Sequence, residues 1–182
     1  MVELAPANNA LRLAALTWLA DEKANKLLGY SKGDVGIVEA KFTFASALER
    51  EGSSGVLGIY LDGKAVGYIL LTESSDVRRT VRFQLFIEPE SRRQGHASDA
   101  LAQLADRVLL STRVHRLETE FLARNKAAKA WLKREGFTQE SFRKHSWWSD
   151  GSPHSTVVLR LLAPDWRRIK KERQESSIEE VA

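Results

Sequence analysis

Cysteine is absent from the sequence. That removes disulfides, thiolate metal sites and a cysteine nucleophile together. The four histidines, His96, His115, His145 and His154, show no ligand spacing such as HxxxH, so no metal is expected. No apolar run approaches the span of about 20 residues that a bilayer needs. The opening MVELAPANNALRL lacks a signal peptide's basic-then-apolar order, so the expectation is a cytoplasmic protein with no membrane partner. Two phosphate motifs are also missing, GxxxxGK[ST] and GxGxxG. Neither an internal repeat nor a low-complexity block is present. A chain of 182 residues of this kind reads as one domain with a sizeable core, over residues 1–165, and a charged tail over 166–182.

The excess of positive charge is small, +4. It permits contact with an anionic cofactor, a ribosome or a nucleic acid and specifies none of them. No aromatic–basic platform is evident, so nucleic acid is not an expected partner.

Periodicity then orders the chain. Leu11, Ala14, Ala15, Trp18 and Leu19 recur at helical spacing within residues 8–28. Asp34 caps a second expected helix through Arg50, which Gly52-Ser53-Ser54-Gly55 ends. VLGIYL and KAVGYILL flank Asp62-Gly63, a strong signal for a tight hairpin. A third strand runs from Thr80 to Glu88, and Ala97, Leu101, Leu104, Ala105 and Val108 form the stripe of the next helix. RLETEFLA is a strand, and Asn125 opens a helix that ends at Gly136. Phe137 to Trp148 and Ser155 to Leu162 form a closing hairpin about Asp150-Gly151. One of Trp147 and Trp148 is expected in the core, because alternation sends them to opposite faces, and the other could line an acceptor cleft. Beyond Pro164 the charged segment reads as a solvated or partly disordered helix. Antiparallel strands followed by a crossover helix imply an α/β domain of α+β type, with a mixed, mostly antiparallel central sheet flanked by helices.

Between strand and helix lies Arg92-Arg93-Gln94-Gly95-His96-Ala97. A strand that feeds a helix N-terminus offers free N–H groups and the positive end of a dipole, an anion site. Arg92 and Arg93 add charge for a phosphate.

The spacing Arg92-x-x-Gly95-x-Ala97 resembles the Q/R-x-x-G-x-G/A pattern of the GNAT superfamily of acyl-CoA-dependent N-acyltransferases. Asn125, eleven residues before Gly136-Phe137, is similar to that family's Asn…Gly-Phe segment. The run from Gly136 to Arg143, with Asp150-Gly151 and Trp166 after it, looks like the branch of ribosomal-protein N-terminal acetyltransferases, with polyamine and aminoglycoside acetyltransferases similar at their ends. The resemblance covers about residues 55 to 166. It implies a donor site for acetyl-CoA: backbone of Phe86 and Ile87 along the pantetheine arm, and amides of Arg93, Gln94, Gly95, His96, Ala97 and Ser98 about the pyrophosphate. Arg92 and Arg93 would stand near the phosphates, and Asn125 would bond the pantetheine, besides capping its own helix. Gly95 is where backbone must approach closest, because a Cβ there would hold the phosphate away.

Acyl transfer to an amine needs a neutral amine, a polarised carbonyl and a proton for the leaving thiolate. Glu118 and Glu120 share one face of their strand by its two-residue period. Glu120, five residues before Asn125, matches the glutamate proposed as general base in some ribosomal-protein acetyltransferases. The alternative is an exposed carboxylate, or a partner for Arg116 or Arg124. Glu88, beside the turn, is read as structural. An N–H near Ile87 would polarise the carbonyl. The general acid departs from the family pattern. Where many members carry a tyrosine this chain has Leu132, and where another branch carries a serine it has Ala128. Water, Ser141 or His145 could stand in. The expected activity is direct, ternary-complex acetyl transfer to a primary amine, preferably a protein or peptide N-terminus, since no cysteine can carry the acyl group. A polyamine or aminoglycoside acceptor and a non-catalytic acyl-CoA-binding module are the rivals. The chain is expected to act as a monomer or homodimer.

Overall fold

A computed structural model describes residues 1–21, 55–75, 78–149 and 151–179. The helix expected over residues 34–50, the end of the first helix beyond residue 21, residues 52–54 and Asp150 lie outside the described residues. The elements are β1 (Glu3–Pro6), α1 (Asn9–Ala20), β2 (Val56–Leu61), β3 (Lys64–Ser75), β4 (Thr80–Ile87) and a 3-10 turn (Pro89–Ser91). Then come α2 (His96–Ala105), continued by a π turn (Asp106–Leu110), β5 (Arg116–Leu122), α3 (Lys126–Arg134), β6 (Thr138–Ser149), β7 (Ser152–Leu162) and α4 (Ala163–Glu179).

The seven strands form one sheet in the order β1-β2-β3-β4-β5-β7-β6. Every neighbouring pair is antiparallel except β4 with β5. The fold is therefore the mixed, mostly antiparallel α/β sheet with flanking helices that the sequence implies. Alternation along the strands builds two cores. Ile59, Val66, Ile69, Phe83, Leu117 and Leu159 meet the helices on one face. Tyr60, Tyr68, Leu70 and Phe86 meet Leu11, Ala15 and Trp18 of α1 on the other. Among the described residues no helix is long and apolar enough to cross a membrane.

The parallel junction positions the site. Its register covers only Thr80↔Arg116, Val81↔Leu117 and Arg82↔Glu118. Beyond Arg82 and Glu118 the two strands are no longer paired with each other, and a wedge opens between them. Glu118 pins the vertex, accepting from Arg82 at 2.7 Å and from Arg116 at 3.1 Å, and it is buried. Arg116 also pairs with Glu140. Burial alone would raise the Glu118 carboxyl, but the hydrogen bonds and charges of Arg82 and Arg116 together outweigh it and hold the group below its usual range.

Three features depart from the sequence reading. β1 was not expected, because four residues carry no periodicity to speak of. It is held from outside: Leu4 N–H donates to Gln103 Oε1 (3.0 Å), Gln103 Nε2 to the Val2 carbonyl (2.7 Å) and Arg107 to the Leu4 carbonyl (2.9 Å). Side chains of α2 thus satisfy a sheet edge that would otherwise be open. The segment beyond Pro164 is a helix docked along one face. Trp166 is buried and donates to Asp106 Oδ1 (2.9 Å), while Lys170 donates to Asp106 Oδ2 (2.6 Å). Neither Trp147 nor Trp148 enters the core. Trp147 is half-buried and Trp148 is 71% exposed, because β6 is an edge strand and among the described residues no helix closes over that end.

Candidate functional site

The wall of the wedge follows from backbone alternation. Glu88 N–H donates to the Val66 carbonyl at 2.9 Å, so the polar groups of Phe86 and Gln84 face β3 within the ladder. Those of Phe83, Leu85 and Ile87 face the wedge. The Ile87 carbonyl accepts from Arg92 Nε at 2.9 Å, which leaves the Ile87 N–H as the donor turned away from β3 at the end of β4.

Past that strand the turn collects donors. Arg93 (φ 61°) and Gly95 (φ 84°) both take left-handed backbone, which brings successive amides round to one side. Among the described residues the N–H groups of Arg93, Gln94, Gly95, His96 and Ala97 find no protein acceptor. Ser98 and Asp99 N–H are instead taken by the Gly95 carbonyl, at 2.9 and 3.0 Å. A Cβ built on Gly95 would meet nothing within 4 Å, so the space in front of the turn is open. His96 is buried, and its Nε2 has no partner among the described residues. Arg92 folds back, its guanidinium 5.6 Å above the Phe86 ring. Burial lowers its pKa, and the charge of Asp21 opposes that shift. Gln94 bonds the Glu90 carbonyl at 3.0 Å. Glu88 is buried and accepts from Ser91 (2.7 Å) and Lys64 (3.5 Å), a structural set of contacts.

Asn125 borders the opposite side. Its Oδ1 accepts from Ala128 N–H at 3.1 Å and so caps α3, while its NH₂ has no acceptor among the described residues. A cavity of about 90 Å³ opens here, lined by Phe83, Leu85, Thr119, Asn125 and Trp131 among others. Ala128 and Leu132 also line it, and neither can give up a proton.

A second cavity, about 100 Å³, lies in the same wedge and is lined by Arg82, Gln84, Glu120, Trp147 and Thr156 among others. Glu120 is its carboxylate. Oε1 accepts from Thr156 Oγ1 at 2.6 Å and Oε2 from Arg143 Nη1 at 2.8 Å. Ser146 Oγ stands 2.7 Å from Thr156 Oγ1, so the two hydroxyls can form a chain pointing at Glu120. Neither Arg116 nor Arg124 is the partner, since Arg116 is committed to Glu118 and Glu140. Sequence reasoning did not assign Thr156 or the Arg143 contact. Arg143 lies within the Gly136–Arg143 motif, but its reach across β7 has no local signal. Ser141 and His145 line neither cavity.

The wedge thus carries backbone donors at one end of β4, an amide side chain across from them, and a carboxylate deeper in. A family model described as an acetyltransferase (GNAT) domain matches residues 2–138. Among solved structures, spermidine N-acetyltransferase of Vibrio cholerae in complex with CoA and spermine superposes with a TM-score of 0.75 at 14% identity, covering 91% of this chain and 97% of that one. A ribosomal-protein-alanine N-acetyltransferase of Brucella melitensis gives 0.70 at 21% identity, covering 89% and 99%. At these identities the likeness to the two structures is one of fold. No curated protein matches the sequence.

Proposed function

The chain belongs to the GNAT acetyltransferase family, and on that premise we propose that it transfers an acetyl group from acetyl-CoA directly to a primary amine, the acceptor being the N-terminal amine of a protein or peptide. The observation that carries this reading is the wedge itself, with amides at residues 93–97 that have no acceptor among the described residues on one side and Glu120 on the other. The turn fits a pyrophosphate: the five N–H groups and the His96 Nε2 that have no partner among the described residues, with the open space before Gly95, are what an anion would use.

When bound, acetyl-CoA supplies a thioester whose carbonyl carbon accepts the amine. Residues 93–97 hold the phosphates through main-chain N–H groups. Asn125 orients the pantetheine arm through its free NH₂. Ile87 N–H donates to the carbonyl oxygen, where negative charge develops. Glu120 takes the amine proton, directly or through a water, a step worth on the order of a hundredfold. Thr156 and Arg143 fix the direction of that carboxylate. Leu132 and Ala128, which line the cavity beside Asn125, have no proton to give the leaving sulfur, and the thiolate takes its proton from water.

The acceptor preference rests on charge. Among the described residues lining the inner cavity Glu120 is the one carboxylate, and Arg82 stands beside it with Arg143 bound to it. A polyamine, with several ammonium groups, gains little from one carboxylate already paired with a guanidinium. A peptide α-amine carries a single charge and an ordinary pKa of about 8, well below a lysine's.

Leu132 and Ala128 favour a second reading, a module that binds acyl-CoA without turnover. Thiol release from acetyl-CoA over a panel of amines separates the two. Amine-dependent release supports the enzyme, and tight CoA binding with no release above background supports the module.

A further inference from the structure

The carboxylate of Glu135, at the end of α3, does not face the wedge. One oxygen accepts from Ser98 Oγ at 2.6 Å and the other from Arg173 Nη2 at 2.9 Å. The Ser98 hydroxyl in turn accepts the Trp131 indole N–H at 3.0 Å. Ser98 belongs to the first turn of α2, directly behind the free amides, and Trp131 lines the cavity beside Asn125. Arg173 belongs to α4, where its guanidinium lies 5.5 Å above the Trp166 ring. The Glu135 side chain is only 12% exposed, so the carboxylate at the centre of the chain Trp131–Ser98–Glu135–Arg173 is shielded from water, while the Arg173 side chain at its end is 45% exposed.

These contacts tie together the two helices that border the donor site. The N-terminus of α2 carries the amides, and the N-terminus of α3 carries Asn125. A ligand that bridges both needs their separation fixed to a fraction of an ångström, because hydrogen bonds weaken steeply with misalignment. Ser98 cannot move without losing Glu135 and Trp131, and Glu135 is oriented by Arg173.

We infer that Glu135 is a positioning residue for the donor site, and that Arg173 makes the C-terminal helix α4 part of acetyl-CoA recognition although α4 lines neither cavity. The inference rests on the reading that CoA binds the turn. Through it, α4 controls donor affinity: releasing Arg173 loosens Glu135, then Ser98, then the spacing between the amides and Asn125.

The test is CoA affinity measured calorimetrically on full-length variants, alongside thermal melting. Arg173→Ala and Glu135→Gln are expected to weaken CoA binding about five- to tenfold, with Arg173→Lys recovering part of the loss. Lys170→Ala breaks a comparable ion pair of the same helix, to Asp106, but at the far end of α2. It is expected to lower the melting temperature while leaving CoA affinity within twofold. Kinetically, the KM for acetyl-CoA should rise in Arg173→Ala with kcat at saturation nearly unchanged. Equal CoA affinities in Arg173→Ala, Glu135→Gln and the unmodified protein would overturn the inference. So would a loss in Lys170→Ala as large as that in Arg173→Ala, since docking alone would then account for it. Failure of the unmodified protein to bind CoA would instead remove the donor reading on which the inference stands.

Discussion

Arg143 reaches from β6 over β7 to Glu120 on β5, with Nη1 2.8 Å from Oε2. The guanidinium is half exposed and the carboxylate, which lines the inner cavity, is 22% exposed. An incoming ammonium group meets a carboxylate already holding a cation, and the two compete for Oε2.

Two substitutions separate these roles. Glu120→Gln keeps the shape and the Thr156 contact but cannot take a proton. It should lower kcat about a hundredfold with CoA affinity within twofold. Arg143→Ala removes the competing cation, so spermidine should gain severalfold against a peptide acceptor, in line with about 1 kcal/mol for a half-exposed ion pair. Steady-state rates with both acceptors measure each effect, and unchanged turnover in Glu120→Gln would remove Glu120 from the mechanism.

Gly95→Ala places a methyl group where backbone meets anion. At φ 84° an L-residue costs about 1–2 kcal/mol, and the methyl enters the open space before the amides. CoA affinity should fall at least about tenfold, the loss of one or two charged hydrogen bonds. The apo melting temperature should fall by only a few degrees. Calorimetric titration beside a melting curve reads both.

Glu118 makes stability depend on acid. Its folded pKa lies below the ordinary 4.5, so its contribution is complete above that value and is lost as pH falls through the lower folded pKa. Glu118→Gln should cost about 2 kcal/mol at pH 7, where one charged hydrogen bond is lost and the other loses its anionic acceptor. The gap between the two melting temperatures should narrow once pH drops below about 4. A gap that stays constant from pH 7 to 3 would contradict the assignment.

The turns and caps were legible because each is decided by one or two residues. Asp62 and Gly63 both take the positive φ that a tight hairpin needs, and Asn125 caps its helix through Oδ1. Apolar stripes gave α2 and the strands for the same reason. What could not be read was anything settled by partners far apart in sequence. β1 exists through Gln103 and Arg107, about a hundred residues away. The docking of α4 depends on Asp106, and the Arg143–Glu120 pair spans a strand that separates them. The wedge needs a parallel register that stops after three residue pairs, and no residue pattern announces where a register stops.

Gly136 reports on that docking. It sits at φ 97°, and a Cβ there would collide with Ile169 Cδ1 of α4. Gly136→Ala should destabilise by about 2–3 kcal/mol, from left-handed strain and the displaced side chain. Adding Ile169→Ala should recover part of that loss, so the double variant should melt higher than the sum of the single effects requires. Full additivity would mean that the two residues do not touch in solution.

The most direct measurement is stopped-time thiol release from acetyl-CoA with a short peptide bearing a free N-terminus, run beside its N-terminally blocked form and spermidine. The expected result is release with the free peptide well above both comparators, with mass spectrometry placing one acetyl group on the α-amine. Tight CoA binding with no amine-dependent release, or release supported by spermidine in preference to the peptide, would contradict it.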